Sequence, residues 1–428
     1  MSIEELYRIY LRYPLIITDT RKILADGIFF ALKGANFNGN AFAATALQGG
    51  AAYAVIDEPE YATDERFVVV PDVLTVLQQL ARHHRRQFNI PVIGITGSNG
   101  KTTTKELVTT VLRQSYTTYA TIGNLNNHIG VPLTLLQIQK DVQIAVVEMG
   151  ANHQKEIEGY CLIAEPTHGI ITNCGKAHIE GFGGEEGVRK GKGELYDYLR
   201  LHNGTIFRNT DMEYLDGMAW GIDQQVTYGS TNATYVGVAT MKDVFLSVSF
   251  SHADTTTTID THLVGAYNFP NVMTAIAIGL NFGIAPAAIK TAIEAYMPDN
   301  SRSQWLQKGT NKVIQDAYNA NPSSMQAAIV NFAGASLDNK ILWIGAMKEM
   351  GHAEAEEHKA LVALIAGYEW KDVILVGKEF SGLQQGLKWF ADSAAAANYV
   401  REHRPVGSAI LIKGSRGSRM EVMAEALG

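Results

Sequence analysis

The sequence is poor in cysteine and carries no excess of positive charge. Its two cysteines, Cys161 and Cys174, do not form a Cys-x-x-Cys pair within the 428 residues. This excludes a disulfide framework, so we expect a cytoplasmic protein with reduced thiols. The formal net charge of −7 argues against a protein that binds nucleic acid through its phosphates, which would usually be basic. The N-terminus carries charges every few residues and lacks the apolar core of a signal peptide.

Long apolar runs are also rare, and one segment needs interpretation. Residues 263–289 contain no charge over a length that could span a membrane. Pro270 and Pro286 interrupt this segment, together with three Asn and three Gly residues. We therefore expect a loop, a buried alanine-rich helix and a second helix from Pro286, and no membrane span.

Hydrophobic patterning divides the chain into three α/β units. In the first, residues 1–88, short strands alternate with helices. The second, residues 89–298, predicts a mostly parallel sheet with helices on both faces, and an antiparallel insert or flap near residues 226–263. The third, residues 299–428, alternates strands and helices in the manner of a small Rossmann-like sheet.

A glycine-rich loop opens the second unit. The segment "GITGSNGKTTT" (94–104) follows the apolar run "IPVI" and precedes a helix expected from about Thr103. Backbone N–H groups of such a loop hold phosphate oxygens, while Lys101 neutralises phosphate charge and the Thr102 hydroxyl reaches Mg²⁺. Ile95 stands where the common phosphate-loop spacing has its first glycine. Alone, the loop fits a motor, a switch, a kinase or a ligase, and its plain alternative is a surface turn.

Three further segments carry candidate chemistry. Glu148 ends an apolar strand predicted over 142–148, where it is either a Mg²⁺ ligand or a solvated carboxylate. His178 follows a strand predicted over 169–173 and is either a metal ligand or a loop histidine, although Mg²⁺ prefers oxygen ligands. The stretch "VRKGKGELYDYL" begins a helix with Arg189, Lys190 and Lys192, and local sequence favours none of the three for a special role.

In order and content, these segments resemble those of the Mur ligases, the ATP-dependent amino-acid ligases of peptidoglycan precursor synthesis. The phosphate loop has the Thr-Gly-x-x-Gly-Lys-Thr form of that family. The resemblance covers all three units and includes a uridine-nucleotide-binding first domain. Its further segments are "EMGANHQKEI", "TNCGKAHIEGFG", "KGKGELYDYL", "LVGAYNFPNVMTA" with Tyr267 where His is usual, "NSR" (300–302), "DAYNANPSSM" (316–325) and, in the first unit, "DTRKILADGIFFALKG".

Two segments favour one branch of that family. "EMGANH" and "KGSRGSRME" are similar to the branch that adds D-alanyl-D-alanine. The diaminopimelate-adding branch carries Asp-Asn-Pro-Arg, and the near match here, "DNSR" (299–302), lacks the proline. The alternatives that stay open are the diaminopimelate- or lysine-adding branch and, in a different class, a phosphate-loop NTPase switch. A non-catalytic relative would be expected to have lost Lys101, Glu148 or Lys192, and all three are present.

The resemblance implies an activity and a set of roles. The implied reaction joins D-alanyl-D-alanine to the terminal carboxylate of UDP-N-acetylmuramoyl-tripeptide through an acyl phosphate, giving ADP and phosphate. The implied cofactors are ATP, two Mg²⁺ ions and a carbamylated Lys192, in a cytoplasmic monomer whose third domain rotates about residues 296–302. The third residue of the tripeptide stays open.

The residue roles implied by the resemblance fall into four sets. They are catalytic Lys101, Lys192 and His178; nucleotide-binding Thr96, Gly97, Ser98, Asn99, Gly100, Lys101, Thr102, Thr103, Asn271 (adenine), Arg302 and Asp316; substrate-binding Thr20, Arg21, Asn124, Asn126 and Asn127; and metal-binding Thr102, Glu148, His178 and Lys192.

Overall fold

The computed structural model describes residues 1–22, 25–299 and 302–428. Each predicted unit contains its own sheet. The first unit consists of α1 Ile3–Arg12, β1 Leu15–Ile17, β2 Gly27–Phe30, β3 Lys33–Gly34, β4 Phe37–Asn38, α2 Ala43–Gln48, β5 Tyr53–Ile56, β6 Phe67–Val69 and α3 Val73–Arg85.

The central unit continues from β7 to α11. Its elements are β7 Val92–Thr96, α4 Lys101–Leu112, β8 Thr118–Ala120, α5 Gly130–Leu135, β9 Ile144–Glu148, α6 Glu156–Ala164, β10 His168–Ile171, α7 Ile179–Phe182, α8 Glu185–Leu201, β11 Thr205–Asn209, α9 Tyr214–Met218, β12 Gln225–Gly229, β13 Tyr235–Lys242, β14 Phe245–His252, β15 Thr255–Val264, α10 Phe269–Asn281 and α11 Pro286–Glu294.

The third unit completes the described chain. Its elements are β16 Gln304–Lys308, β17 Asn311–Asp316, α12 Pro322–Gly334, β18 Lys340–Gly345, α13 Glu354–Ala366, β19 Asp372–Val376, β20 Lys388–Phe390, α14 Ser393–Glu402, β21 Ala409–Lys413 and α15 Glu421–Glu425.

The first sheet is parallel in the order β1-β2-β5-β6, and α3 connects it to the central unit. Asp72 caps α3 by accepting from Thr75 N–H at 2.7 Å. The buried face of α3, including Leu77 and Leu80, belongs to one hydrophobic cluster with residues of α5 and α6. Arg85 of α3 donates to the Ala164 carbonyl at 2.9 Å, which satisfies the end of α6. The first and central units therefore share a core.

The central sheet has the order β15-β14-β13-β12-β11-β10-β7-β9-β8. Strand β7 is buried along its whole length and pairs in parallel with β9 and β10, so the glycine-rich loop leaves the middle of the carboxyl edge. The residues after β9 and β10 leave the same edge on either side of it. The largely buried α10 packs against α4, which begins at Lys101, two residues earlier than predicted.

The predicted antiparallel insert is present but does not stand apart as a flap. Strands β13, β14 and β15 pair antiparallel, and β13 also pairs with β12 through Tyr228 opposite Tyr235. The insert thereby extends the parallel part of the central sheet. Among the described residues, no helix is both long and apolar enough to cross a membrane.

The third sheet has the order β16-β17-β21-β18-β19-β20, parallel except for the edge strand β16. Side chains of α12 and α13 share one hydrophobic cluster with the sheet, while those of α14 and α15 share another. This is the predicted Rossmann-like arrangement. The predicted domain boundaries after residues 88 and 298 stay predictions. Asn300 and Ser301, which belong to the predicted pivot and to the "NSR" segment, lie outside the described residues, as do residues 23 and 24 of the "DTRKILADG" segment.

Candidate active site between the central and third sheets

A cavity of about 560 Å³ lies between the carboxyl edges of the central and third sheets. The two edges face each other, as expected of a ligand site in open α/β sheets. The predicted site residues that line the cavity are Ser98, Asn99, Gly100, Lys101, Thr102, Thr103, Asn124, Asn126, Asn127, Glu148, His178, Asn271, Arg302 and Asp316.

The glycine-rich loop has a shape that requires its glycines. Gly97 and Gly100 have φ angles of 144° and 78°, a region that side chains with a Cβ rarely adopt. A Cβ at Gly97 would overlap the Thr172 hydroxyl, and one at Gly100 would lie 2.6 Å from Asn271 Oδ1. The neighbouring segments therefore contact the loop directly. Ser98 N–H and Asn99 N–H donate to Asn173, so the N–H groups left for an anion are those at the start of α4.

A buried carboxylate stands beside this loop. Glu148 is 1% exposed, and its Oε1 accepts from Thr102 Oγ1 at 3.2 Å and from Asn126 Nδ2 at 2.7 Å. Its Oε2 is buried and has no hydrogen-bond partner among the described residues. An unpartnered carboxylate oxygen next to a hydroxyl is a donor set that suits Mg²⁺, so these side chains fit the ion.

Lys101 is turned back onto its own loop. Its Nζ donates to the Gly97 carbonyl at 2.6 Å and lies 3.3 Å from the Ser98 carbonyl. Burial lowers the pKa of Lys101 below its ordinary value, Glu148 opposes this shift, and the charge of Arg302 adds to it. The cation is thus held by backbone carbonyls at the position where phosphate oxygens would compete for it.

The third unit contributes a paired set of charges. Asp316, at the end of β17, accepts from Ser303 N–H at 3.2 Å and from Lys413 Nζ at 2.6 Å. Lys413 ends the neighbouring strand β21 and is 2% exposed. The guanidinium of Arg302 lies over the Tyr318 ring, 3.6 Å from its centroid, which fixes its direction at the cavity wall.

His178 and Lys192, the two predicted ligands of a second metal, have different neighbours in the structure. His178 lines the cavity, but its Nδ1 lies 2.6 Å from Glu349 of the third unit. Burial lowers the pKa of His178, with Lys101 and Lys192 adding to the shift and Glu349 opposing it. Lys192 is outside the residues that line the cavity, and the described residues contain no cluster of three His, Cys, Asp or Glu side chains placed for a metal.

Lys192 is nevertheless unusual for a lysine, because it is buried and its pKa is lowered. It is 1% exposed, its Nζ donates to the Ala151 carbonyl at 3.0 Å, and it faces the Phe182 ring at 4.8 Å. Burial lowers the pKa of Lys192 to about 7, and the positive charge of Lys101 adds to the shift. Since Ala151 itself lines the cavity, the lysine amine lies directly behind the cavity wall.

Comparison with protein families covers most of the chain. The family described as "Mur ligase middle domain" matches residues 95–279, "Mur ligase, glutamate ligase domain" matches 301–416, and "Mur ligase family, catalytic domain" matches 12–85. A Bacillus subtilis protein named UDP-N-acetylmuramoyl-tripeptide–D-alanyl-D-alanine ligase is 34% identical, over 96% of this chain and 92% of its own length.

The chain belongs to the Mur ligase family. The Escherichia coli protein of the same name is 32% identical, over 96% of this chain and 93% of its own length. Among solved Mur ligases, a crystal structure of MurF from Acinetobacter baumannii superposes with a TM-score of 0.89 at 29% identity, covering 100% of this chain and 98% of that one. MurF of Thermotoga maritima, solved in complex with ADP, shares the fold with a TM-score of 0.87 at 24% identity, covering 97% of each chain.

Within this Mur ligase, the predicted substrate residues fall into two places. Asn124, Asn126 and Asn127 line the cavity, and Asn127 also accepts from Gly130 N–H at 2.8 Å to hold the start of α5. Thr20 and Arg21 belong to the first unit and are not among the lining residues. Arg21 is exposed and donates to Asp19, with Nη2 at 2.8 Å from Oδ2. The predicted substrate residues of the central unit therefore line this cavity, and those of the first unit do not.

The adenine-contacting residue predicted by the resemblance lies directly against the phosphate loop. Asn271 Oδ1 accepts from Thr104 Oγ1 at 3.1 Å, and its Nδ2 donates to Asn268 Oδ1 at 2.8 Å. Tyr267, which stands where the family usually has His, donates or accepts at Ser303 Oγ with an O–O distance of 3.0 Å. Burial raises the pKa of Tyr267, so this phenol stays neutral.

Several lining residues were not predicted from the sequence, among them Asn173, Asn321 and Lys413. Asn173 accepts from Asn99 N–H at 3.0 Å and thereby fixes the phosphate loop. Asn321 caps α12 and faces the phosphate loop, and Lys413 neutralises Asp316. Asn173 and Lys413 stand at strand ends, where the rule that identified Glu148 could have found them. Asn321 precedes Pro322 in a helix-start pattern, which predicts a cap but no partner.

Proposed function

We propose that this chain is an ATP-dependent ligase that joins D-alanyl-D-alanine to the terminal carboxylate of UDP-N-acetylmuramoyl-tripeptide. The names of the curated relatives give this reaction for them. The observation that carries the proposal for this chain is one cavity, into which the phosphate loop, the buried Glu148 and the charged residues of the third unit converge.

The chemistry explains why a phosphate loop serves amide-bond formation. A carboxylate is a poor electrophile, so its oxygen first takes the γ-phosphoryl group of ATP, which gives an acyl phosphate and ADP. The amine of D-alanyl-D-alanine then attacks the acyl carbon, phosphate leaves with the C–O bond electrons, and the amine loses a proton. The protein's share is positioning and charge stabilisation, supplied by Lys101 and the N–H groups of the loop.

We assign the first Mg²⁺ to Thr102 and Glu148, because the unpartnered Glu148 Oε2 faces no competing donor among the described residues. Bound there, the ion would offset charge on the phosphates. We assign a second Mg²⁺ to His178 and to Lys192 as a carbamate. Its lowered pKa supports this role for Lys192, since the neutral amine is the form that reacts with CO₂. A carbamate would supply the oxygen ligands that Mg²⁺ prefers.

The remaining roles follow the family pattern. We assign the phosphate contacts to Thr96, Gly97, Ser98, Asn99, Gly100 and Thr103 with Lys101 and Thr102, adenine to Asn271, and phosphate and ribose contacts to Arg302 and Asp316. Thr20 and Arg21 would bind the uridine nucleotide, and Asn124, Asn126 and Asn127 the peptide end of the substrate. We expect the enzyme to act as a cytoplasmic monomer.

The decisive experiment measures phosphate release with UDP-N-acetylmuramoyl-tripeptide, ATP and Mg²⁺. D-alanyl-D-alanine should support turnover, and single amino acids should not. Turnover with diaminopimelate on the dipeptide precursor, and none with D-alanyl-D-alanine, would overturn the branch assignment. ATP hydrolysis that needs neither amine nor uridine nucleotide would instead support an NTPase switch.

Because two units supply one nucleotide site, we also propose that the third unit rotates from an open to a closed position about residues 296–302. Small-angle scattering profiles with and without an ATP analogue and the uridine-nucleotide substrate should differ. Identical profiles would contradict the rotation.

A further inference from the structure

Asn99 makes more hydrogen bonds to other segments than any other residue of the phosphate loop. Its N–H donates to Asn173 Oδ1 at 3.0 Å, and its carbonyl accepts from Thr172 Oγ1 at 2.6 Å and from Asn173 Nδ2 at 3.1 Å. These bonds fix its backbone within the central unit. Its side chain reaches the other unit, because Asn99 Oδ1 accepts from Asn321 Nδ2 at 2.7 Å across 222 positions of sequence.

Asn321 is oriented by the helix that it begins. Its Oδ1 accepts from Ser324 N–H at 2.9 Å, and Ser324 Oγ lies 3.1 Å from Asn321 N, which together form a capping box ahead of α12. Pro322 occupies the first turn, where its fixed φ suits a helix start. Since the cap uses the amide oxygen, the amide nitrogen is left to face Asn99. Asn321 is 7% exposed, so water does not readily replace that contact.

A second contact ties the same turn of α12 to the neighbouring loop. Ser323 Oγ accepts from Lys176 N–H at 3.1 Å, and the loop before Lys176 meets the phosphate loop where Ser98 Oγ donates to the Gly175 carbonyl at 2.9 Å. The first turn of α12 therefore touches both loops that frame the phosphate position.

We propose that Asn321 is a positioning residue for the phosphate loop, which holds the Asn99 side chain while the third unit is docked. The loop then has its binding shape when α12 is in place, and α12 is held in place when the loop is ordered around a nucleotide. Binding of the triphosphate and docking of the third unit thus favour each other through one hydrogen bond, as linkage requires. This inference rests on the proposed ATP binding and is independent of which amine is added.

Asn321→Ser separates this role from helix capping, because serine also caps helices well but its hydroxyl does not reach as far. We expect Asn321→Ser, which keeps the cap, to unfold at a higher temperature than Asn321→Ala, while its Kd for a non-hydrolysable ATP analogue with Mg²⁺, measured by calorimetry, rises about tenfold. Asn321→Ala should show the same change in Kd and a lower unfolding temperature. In the ligation assay, KM for ATP should rise more than kcat falls.

A double-mutant cycle with Asn99→Ala tests the coupling directly. Asn99→Ala should weaken analogue binding to a similar extent, and adding Asn321→Ser should cause no further loss. Independent, multiplying losses would overturn the inference, as would wild-type affinity in Asn321→Ser. If the wild-type protein binds no analogue, both the proposed function and this inference are wrong. If it binds the analogue and ligates but the cycle shows no coupling, only this inference is wrong.

Discussion

The carboxyl edges of the central and third sheets each bring a lysine and a carboxylate to the same cavity, and they differ in how the charges are satisfied. At the third sheet, Lys413 and Asp316 pair directly at 2.6 Å. At the central sheet, Lys101 turns to carbonyl groups of its own loop, and Glu148 keeps one buried oxygen without a partner among the described residues. The Asp316–Lys413 pair of the third edge is satisfied as it stands, whereas the central edge needs a cation and an anion to complete it. We infer that the chemistry occurs at the central edge, and that the third edge supplies closure and the nucleotide contacts assigned to Arg302 and Asp316.

The largest effect should come from Glu148→Gln. The amide keeps the shape but loses the charge that fits Mg²⁺, so we expect phosphate release to fall by about three orders of magnitude, as for loss of a major transition-state contact. The measurement is phosphate release over a Mg²⁺ titration, with Glu158→Gln on the exposed face of α6 as the matched control. Glu158 pairs with Lys155 at the surface, so its variant should keep wild-type turnover. Activity of Glu148→Gln within tenfold of wild type would remove the distinction between the two edges.

Asp316→Asn should lower the stability of the fold, in addition to removing the nucleotide contact assigned to Asp316. It removes the carboxylate that pairs with Lys413, a side chain that is 2% exposed. Breaking a buried pair from one side typically costs about 3 kcal/mol, so we expect the free energy of unfolding in urea to fall by about that amount. Glu148→Gln, which removes an incompletely satisfied charge, should unfold at the same urea concentration as wild type or higher. Equal destabilisation by the two variants would contradict the comparison.

Lys192, behind the cavity wall, gives a test that depends on pH. Burial lowers the pKa of Lys192 to about 7, whereas an unfolded lysine titrates near its ordinary value of about 10.4. Between these values the unfolded chain binds one more proton than the folded one, so the free energy of unfolding rises with pH. Below pH 7 the amine is charged in both states, and the buried charge is unfavourable.

Relative to Lys192→Met, the wild-type free energy of unfolding should therefore increase by about 1 kcal/mol per pH unit between pH 7 and 9. Urea unfolding in CO₂-free buffer measures this difference. Lys190→Met is the control on the same helix, because Lys190 is exposed and pairs with Glu186 at the surface. A constant difference between wild type and Lys192→Met over this range would show that Lys192 stays charged when folded.

The smallest effect should come from the outer contact between the two units. Lys176 Nζ lies 2.9 Å from Glu357 Oε1, and the lysine side chain is 44% exposed. Surface pairs of this kind contribute about 0.5 kcal/mol or less, so Lys176→Gln should unfold within that margin of wild type at low and high salt. A loss above about 1 kcal/mol would mean that the exposed contact, and not the buried Asn99–Asn321 bond, holds the third unit.

Local patterns predicted the parts of the site that depend on local structure. The glycine-rich loop was predicted because strand, glycines, Lys101, Thr102 and helix are adjacent in sequence, and Glu148 because strand ends meet at one sheet edge. The structure places both at one cavity, and their roles stay predictions. The fold class was predicted from the alternation of strands and helices, and the shared fold of the solved Mur ligases confirms it. The partners of these residues, such as Asn321 for Asn99, depend on tertiary contacts that no spacing encodes.

Lys192 shows where a local signal was present but outweighed. Local sequence gave it no special role among the three basic residues, yet Val188 and Leu195 stand four residues before and three residues after it, on the same face of α8. That spacing places the lysine on the buried stripe of an amphipathic helix. The periodicity could have predicted the burial, but not the Ala151 carbonyl that accepts from it or the direction of its pKa.

The core shared by α3 and the central unit has a further consequence for the proposed substrate. Because Leu77 and Leu80 pack into one cluster with α5 and α6, and Arg85 anchors the end of α6, we expect the distance between the first unit and the phosphate loop to stay constant during the proposed rotation of the third unit. If the first unit holds the uridine nucleotide, this fixed distance would select substrates by their length. The number of residues in its peptide, more than their side chains, would then decide whether the carboxylate arrives at the phosphate.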